Sequence, residues 1–90
     1  MSGVNLQTGF PPIDSTVRWR LPVNGRTVEF RAAVETWRPS GELRVYRMRS
    51  PGGELVTAVM DLNPDSGRLR MTACDDANGP FQADVVFDHA

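Results

Sequence analysis

Three parts of this sequence carry residues that could do chemistry: an acidic turn, a lone cysteine with a lone histidine, and arginines beside aromatic residues. The acidic turn is Asp61-Leu-Asn63-Pro-Asp65, which offers oxygen ligands at alternate positions, as the start of a calcium loop does. The spacing then departs from that motif, because position twelve of the loop is Thr72, where a bidentate carboxylate is needed. We interpret the segment as a turn and predict no metal and no cofactor.

The single cysteine, Cys74, and the single histidine, His89, are the only residues that suggest covalent or acid-base catalysis. A cysteine nucleophile needs a base held beside it, and a penultimate histidine is poorly placed to serve. One cysteine and one histidine also cannot build a zinc site or a catalytic triad. The sequence therefore predicts a protein that is not an enzyme.

The ten basic residues are all arginines, and they are unevenly distributed. Residues 16–50 hold eight arginines and three acids, whereas residues 51–90 hold two arginines and seven acids. A barrel that brings its first and last strands together would pair part of the two charges, through Arg18 and Arg20 with Asp84 and Asp88. The arginines of residues 44–49 have few acidic neighbours in that arrangement. Their charge is therefore left without a partner, which indicates a binding surface.

The predicted binding residues are Arg44, Tyr46, Arg47 and Arg49, with Trp37 as the adjacent aromatic residue. Guanidinium groups bind carboxylates and phosphates through paired hydrogen bonds and stack on aromatic planes. We expect a binding or self-associating module that contacts an acidic protein surface through these residues. Single-stranded nucleic acid is the alternative partner, although the pI near 5.7 is lower than such domains usually have. A small apolar ligand held between subunits is a third alternative.

Turn sequences at regular intervals define the elements that must position these residues. Asn24-Gly25 is the preferred dipeptide of a type I′ turn, and it separates residues 16–21 from residues 26–32, two segments in which apolar and charged residues alternate. Further turn sequences begin at Pro39, Ser50, Asn63 and Asp75. The pattern predicts an all-β fold of six antiparallel strands in an up-and-down meander, as a curled sheet or a small barrel.

The alternation of period two predicts which residues face the interior of the sheet. The inward residues are Val17, Trp19, Leu21, Val28, Phe30, Ala32, Leu69, Met71, Ala73, Phe81, Ala83, Val85 and Phe87. Alternation fails in residues 32–37 and 43–49, which indicates a β-bulge or burial of both faces by a second subunit. One helical turn at residues 32–37, in an α+β fold, is the alternative.

Ninety residues are enough for one domain with one modest core. We predict residues 1–15 to be an extended lead-in, partly ordered if Phe10 and Ile13 pack on the sheet, and residues 16–90 to form a single β domain. One cysteine cannot form an internal disulfide, and no apolar segment reaches the ~18 residues of a membrane span. We expect a cytoplasmic protein without membrane contact, and a homo-oligomer, most simply a dimer, because small sheets cover their edges by symmetric pairing.

Overall fold

The computed structural model describes residues 9–75 and 79–88, which form six β-strands and no helix. The strands are β1 (Thr16–Val23), β2 (Arg26–Ser40), β3 (Leu43–Arg49), β4 (Leu55–Leu62), β5 (Leu69–Asp75) and β6 (Gly79–Asp88). Each strand pairs antiparallel with the next, and β6 pairs with β1, so the sheet closes into a barrel. The predicted all-β meander is confirmed, in its closed form. These residues accordingly include no helix long and apolar enough to cross a membrane.

The tight turns follow from residues that tolerate positive φ. Asn24 and Gly25 have φ values of 52° and 78°, as both central residues of a type I′ turn require. Gly41 has a φ of 63° at the start of the two-residue turn between β2 and β3. The right-handed twist of these turns matches the twist of the strands, so each hairpin fixes its own register.

A β-bulge in β2 explains why alternation fails near residue 35. Val34 pairs with Met48 and Thr36 pairs with Arg47, so Glu35 is the extra residue. Glu35 and Thr36 are both exposed, and the strand regains its alternation after them. The bulge that we predicted is confirmed. The helical alternative for residues 32–37 is wrong, because this segment lies within a 15-residue strand whose ladder bonds outweigh one uncapped turn.

The barrel interior is filled by side chains of unequal size. Tyr46 lies opposite Ala58, which lies opposite Ala73, so alanines leave room for the ring. The buried apolar core consists of Val17, Trp19, Ala32, Val34, Tyr46, Met48, Ala58, Met60, Leu69, Met71, Ala73, Ala83, Val85 and Phe87. Nine of the thirteen residues predicted to face inward are in this set, and Leu21, Phe30 and Phe81 pack against it, partly buried. Val28 is likewise partly buried.

The junction of β1 and β6, called the seam below, is short. Its register runs from Thr16 opposite Asp88 to Trp19 opposite Val85, and the two strands then separate. Beyond that point the Phe81 ring stacks on Trp19, with ring centroids 6.5 Å apart. Side-chain packing therefore continues the wall where the backbone ladder ends.

Prolines lie on both strands beyond the end of the seam ladder. Val23 and Arg26 flank a two-residue turn and form a hydrogen-bonded pair, so even-numbered residues of β1 direct their backbone groups toward β6. Pro22 is one of these residues and has no N–H to donate. On β6 the even-numbered residues face β1 in turn, and Pro80 is among them. Each edge of the open part of the seam thus carries a proline.

Residues 9–15, called the strap below, run into β1 across one end of the barrel. Pro11 is buried, Phe10 packs against the core, and Ile13 is 53% exposed. Phe10 thus packs on the core, whereas Ile13 stays exposed where the chain turns: Asp14 has a φ of 73°. The Asp14 amide donates to the Val34 carbonyl at 3.0 Å, which ties the strap to β2. Residues 1–8 lie outside the described residues.

Candidate functional site

The five predicted binding residues lie on two different faces of the barrel wall. Tyr46 and its cross-strand partner Trp37 direct their side chains inward, and Arg44 has the same parity as Tyr46 at the end of β3. Arg47 and Arg49 direct their side chains outward and are exposed. The arginines and aromatic residues therefore do not form the continuous surface that the sequence suggested, because alternate residues of a strand point to opposite faces.

The inward group closes one end of the barrel. The Arg44 guanidinium lies 3.7 Å from the centroid of the Trp37 ring and 4.6 Å from that of Phe10. A guanidinium between two aromatic faces is held by cation–π attraction and by stacking. Arg44 thereby joins the strap to β2, and its two planar faces are already in use.

Tyr46 is fully buried, and its hydroxyl donates a hydrogen bond of 2.6 Å to the Pro11 carbonyl oxygen. Burial raises the pKa of Tyr46 above its usual value of 10.0, and the nearby Arg44 charge opposes that shift. A partner cannot reach this ring without opening the barrel. The surface role suggested for Tyr46 is therefore replaced by a structural one: it anchors the strap.

Arg49 is paired within the molecule. Its Nε and Nη2 donate to the two carboxylate oxygens of Glu35 at 3.1 and 3.2 Å, and its Nη1 donates to the Gly53 carbonyl oxygen at 3.2 Å. The hydrogen bond from Arg49 holds the pKa of Glu35 below its usual value, so the carboxylate stays ionised. Bidentate pairing occupies the guanidinium fork, and Arg49 has little capacity left for a partner.

The outer face of β2, β3 and β4 carries an open groove of about 400 Å³, called the arginine groove below. Its lining residues are Thr36, Arg38, Val45, Arg47 and Thr57. Thr36, Arg47 and Thr57 form one row across the three strands, and Arg38 lies opposite Val45 in the next row. Short side chains between two long arginines leave a depression, and the bulge adds a local bend to β2.

Neither arginine of the groove forms a salt bridge among the residues that the structure describes, although the charge of Arg47 helps Arg49 to lower the pKa of Glu35. Arg38 and Arg47 are diagonal neighbours on one face, a relation that places Cβ atoms about 7 to 8 Å apart or less. Like charges at this separation repel, and the neighbouring Glu35 is already engaged with Arg49. An anion in the groove would relieve that repulsion.

The sequence did not identify Arg38 as a candidate site residue. The turn sequence Pro39-Ser40-Gly41 placed the end of the strand near residue 38, so no direction was assigned to the Arg38 side chain. The strand continues to Ser40, and Pro39 is tolerated because it lies beyond Ala33, the last residue of β2 that pairs with β1. The signal that could have found Arg38 is the bulge, since one extra residue changes the face of every residue that follows it.

The structure describes the acidic turn at residues 61–65 but only part of the cysteine and histidine pair. Asn63 Oδ1 accepts hydrogen bonds from the amides of Asp65 and Ser66 at 2.9 and 3.2 Å, so this oxygen holds its own turn. The part of the chain that the structure describes contains no group of three or more potential metal-ligating His, Cys, Asp or Glu side chains. The side chain of Cys74 and all of His89 lie outside the described residues.

No protein-family model, curated protein or solved structure matches this chain.

Proposed function

We propose that this protein is a non-enzymatic binding module that contacts an acidic segment of a partner protein through the arginine groove. The observation that carries the proposal is the pair Arg38 and Arg47, two exposed arginines on one face that form no salt bridge in the described residues; the neighbouring carboxylate, Glu35, is held by Arg49. Of the residues predicted from sequence, Arg47 is retained in this role. Arg44 and Arg49 are engaged within the molecule, so they support the site without forming it.

The groove suits a protein segment because it combines charge with an apolar floor. Val45 lies between the two arginines and is partly buried, and Thr36 and Thr57 add hydroxyl groups at the sides. A single exposed ion pair contributes only about 0 to 1 kcal/mol, so one carboxylate would bind weakly. Two guanidiniums acting together, with apolar contact beneath them, give an affinity that one pair does not.

The positions of the aromatic rings favour a protein partner over nucleic acid. Binding of single strands depends on bases that stack on exposed aromatic rings, at about 1 to 3 kcal/mol per base. Tyr46 is buried and one face of Trp37 is covered by Arg44, while the groove itself is lined by arginine, threonine and valine. The stacking surface that the nucleic-acid alternative needs is not assembled around the groove.

The proposal is tested by titrating the labelled protein with a poly-glutamate decapeptide and following backbone amide shifts by NMR. We expect shifts at Thr36, Arg38, Arg47 and Thr57, and an affinity at least about tenfold lower for the double variant Arg38→Gln/Arg47→Gln, since losing about 1.4 kcal/mol is a factor of ten.

The matched control is Arg26→Gln/Arg31→Gln, which removes the same charge from exposed positions outside the groove. If the control lowers the affinity as much as the groove variant does, the binding reflects overall charge and the proposal is wrong. Shifts centred on another face would contradict it equally.

Self-association belongs to the same proposal, with a dimer as the simplest form. Ile13, Val23, Leu55 and Val86 are large apolar residues with exposed fractions between 38% and 53%, and symmetric pairing would cover some of them. An apolar ligand between subunits presupposes such a dimer and remains a prediction. So does a cytoplasmic location, which rests on the single cysteine.

A further inference from the structure

We propose that the group recognised in the arginine groove is a phosphate monoester, carried by a phosphorylated side chain of the partner protein. This inference rests on the proposed function and specifies its ligand. It is drawn from the number, the type and the arrangement of hydrogen-bond donors in the groove.

The donors of the groove come from three adjacent strands. Arg47 has Thr36 as its cross-strand neighbour on β2 and Thr57 on β4, so a threonine flanks it on each side. Arg38 adds a second guanidinium from the adjacent row. A carboxylate has two oxygens in one plane and is satisfied by a single guanidinium fork, as Glu35 is by Arg49. A phosphate monoester has three terminal oxygens in a pyramid, and it can use donors from both arginines and from the hydroxyls.

The charges lead to the same ligand. Arg38 and Arg47 together carry two positive charges and form no salt bridge in the described residues, and the one carboxylate that the Arg47 charge acts on, Glu35, is bound by Arg49. A carboxylate would neutralise one of them, whereas a phosphorylated side chain carries about −1.5 to −2 charges near pH 7. A phosphodiester carries one negative charge per group, which matches the pair less well. The open shape of the groove also admits a side chain that enters from outside.

The lining of the groove suits a phosphorylated side chain better than a free nucleotide. Its volume is about 400 Å³, and Val45 forms its floor between the arginines. An apolar stem that carries a phosphate can contact Val45 while the phosphate reaches both guanidiniums. The groove lining supplies no aromatic ring on which a base would stack.

The test compares three peptides of one sequence, acetyl-Glu-Val-Xaa-Val-Glu-amide, in which Xaa is serine, glutamate or phosphoserine. Binding is followed by amide shifts and calorimetry with the full chain. We expect the phosphoserine peptide to bind at least about tenfold more tightly than the glutamate peptide, because it adds a negative charge and a third terminal oxygen for the two arginines and the threonine hydroxyls. We expect the serine peptide to bind most weakly.

Variants then assign the effect to the groove. Thr36→Val and Thr57→Val keep the shape of the side chain and remove the hydroxyl, so each should reduce affinity for the phosphoserine peptide more than affinity for the glutamate peptide. Thr72→Val is the matched control, since Thr72 is an exposed strand threonine outside the groove. Arg38→Gln and Arg47→Gln should each lower phosphoserine binding by about tenfold or more.

The outcomes separate the inference from the function on which it rests. Equal binding of the glutamate and phosphoserine peptides in the groove would overturn the phosphate inference and leave the acidic-partner proposal in place. Failure of both peptides to bind there would refute both. A single-stranded oligonucleotide that binds the groove as tightly as the phosphoserine peptide would show that the site reads phosphodiesters, and the monoester inference would be wrong.

Discussion

Tyr46 shows how one buried polar group ties a loop to the core. Its hydroxyl and the Pro11 carbonyl oxygen form a hydrogen bond of 2.6 Å inside the molecule, and Arg44 packs between Phe10 and Trp37 just outside it. A buried hydrogen bond of this kind costs about 1 to 3 kcal/mol when one partner is removed, because the other is left unsatisfied. Tyr46 and Arg44 thus stabilise the end of the barrel and hold the strap in position.

The single tyrosine gives a direct measurement of this environment. Because burial raises the pKa of Tyr46, we expect phenolate absorbance of the folded protein to rise only above pH 10.0. The folded state holds this proton more tightly than the unfolded state. The resulting contribution to stability is therefore complete below pH 10.0, and it is lost as the pH rises through the raised pKa of the folded protein.

Arg44→Gln should move that midpoint further upward, because the Arg44 charge opposes the shift. Tyr46→Phe, which abolishes the signal, identifies its source, and circular dichroism defines the pH range in which the protein remains folded. A midpoint at 10.0 in the folded protein would contradict the prediction, as would a lower midpoint in Arg44→Gln.

The bulge in β2 is the element that makes the groove. By placing both Glu35 and Thr36 on the outer side, it brings Glu35 to Arg49 and Thr36 to Arg47. It also sets the outward direction of Arg38. If residues 34–38 alternated strictly, Thr36 and Arg38 would share the inward direction of Val34.

Deletion of Glu35 tests the bulge against its charge. The shortened strand regains strict alternation, so we expect a folded barrel that has lost the local bend, with a melting temperature at least about 4 °C lower. The matched control is Glu35→Ala, which removes the carboxylate and keeps the extra residue. Its effect should be small, because both side chains of the pair with Arg49 are more than 40% exposed. Equal effects of the two changes would mean that the bend contributes nothing.

The fold could be predicted from sequence because its signals are local. Asn24-Gly25 specifies its turn and the period of two specifies the buried face, and both depend on adjacent residues only. The site could be predicted less well. A bulge was one of the alternatives for residues 32–37, but only the bulge, and neither burial of both faces nor a helical turn, reverses the face on which Arg38 lies. The pairing of Arg49 with Glu35 and the burial of Tyr46 beneath the strap depend in the same way on contacts between distant segments.

At the scale of the whole molecule, the uneven distribution of arginines and acids along the sequence gives the two halves of the barrel wall opposite charge. Strands β1 to β3 contain the arginine-rich residues, and β4 to β6 contain the acidic ones. Arg18 and Asp88, whose side chains meet at 3.1 Å across the seam, are the one ion pair of the described residues that joins the two halves. Barrel closure therefore accounts for a small part of the segregation, and a basic wall remains available to a partner.

The seam should be the first part of the barrel to open. Its ladder extends only from Thr16 to Trp19 on β1, and regions with few backbone hydrogen bonds open at lower free energy. We expect the amides of Arg18 and Val86, which face the seam, to exchange with deuterium at least about tenfold faster than those of Tyr46 and Ala58. NMR-detected native-state exchange measures this. Equal protection at both places would show that the barrel opens only as a unit.

The prolines on the two edges of the seam matter when many copies of the chain are close together. A strand edge exposed by opening is a template on which other chains add, and repeated addition produces fibrils. Pro22 and Pro80 remove a donor from each edge at the end where the seam is already open. An incoming strand would find gaps in its hydrogen-bond ladder there. The weakest junction of the barrel is thus also protected against aggregation.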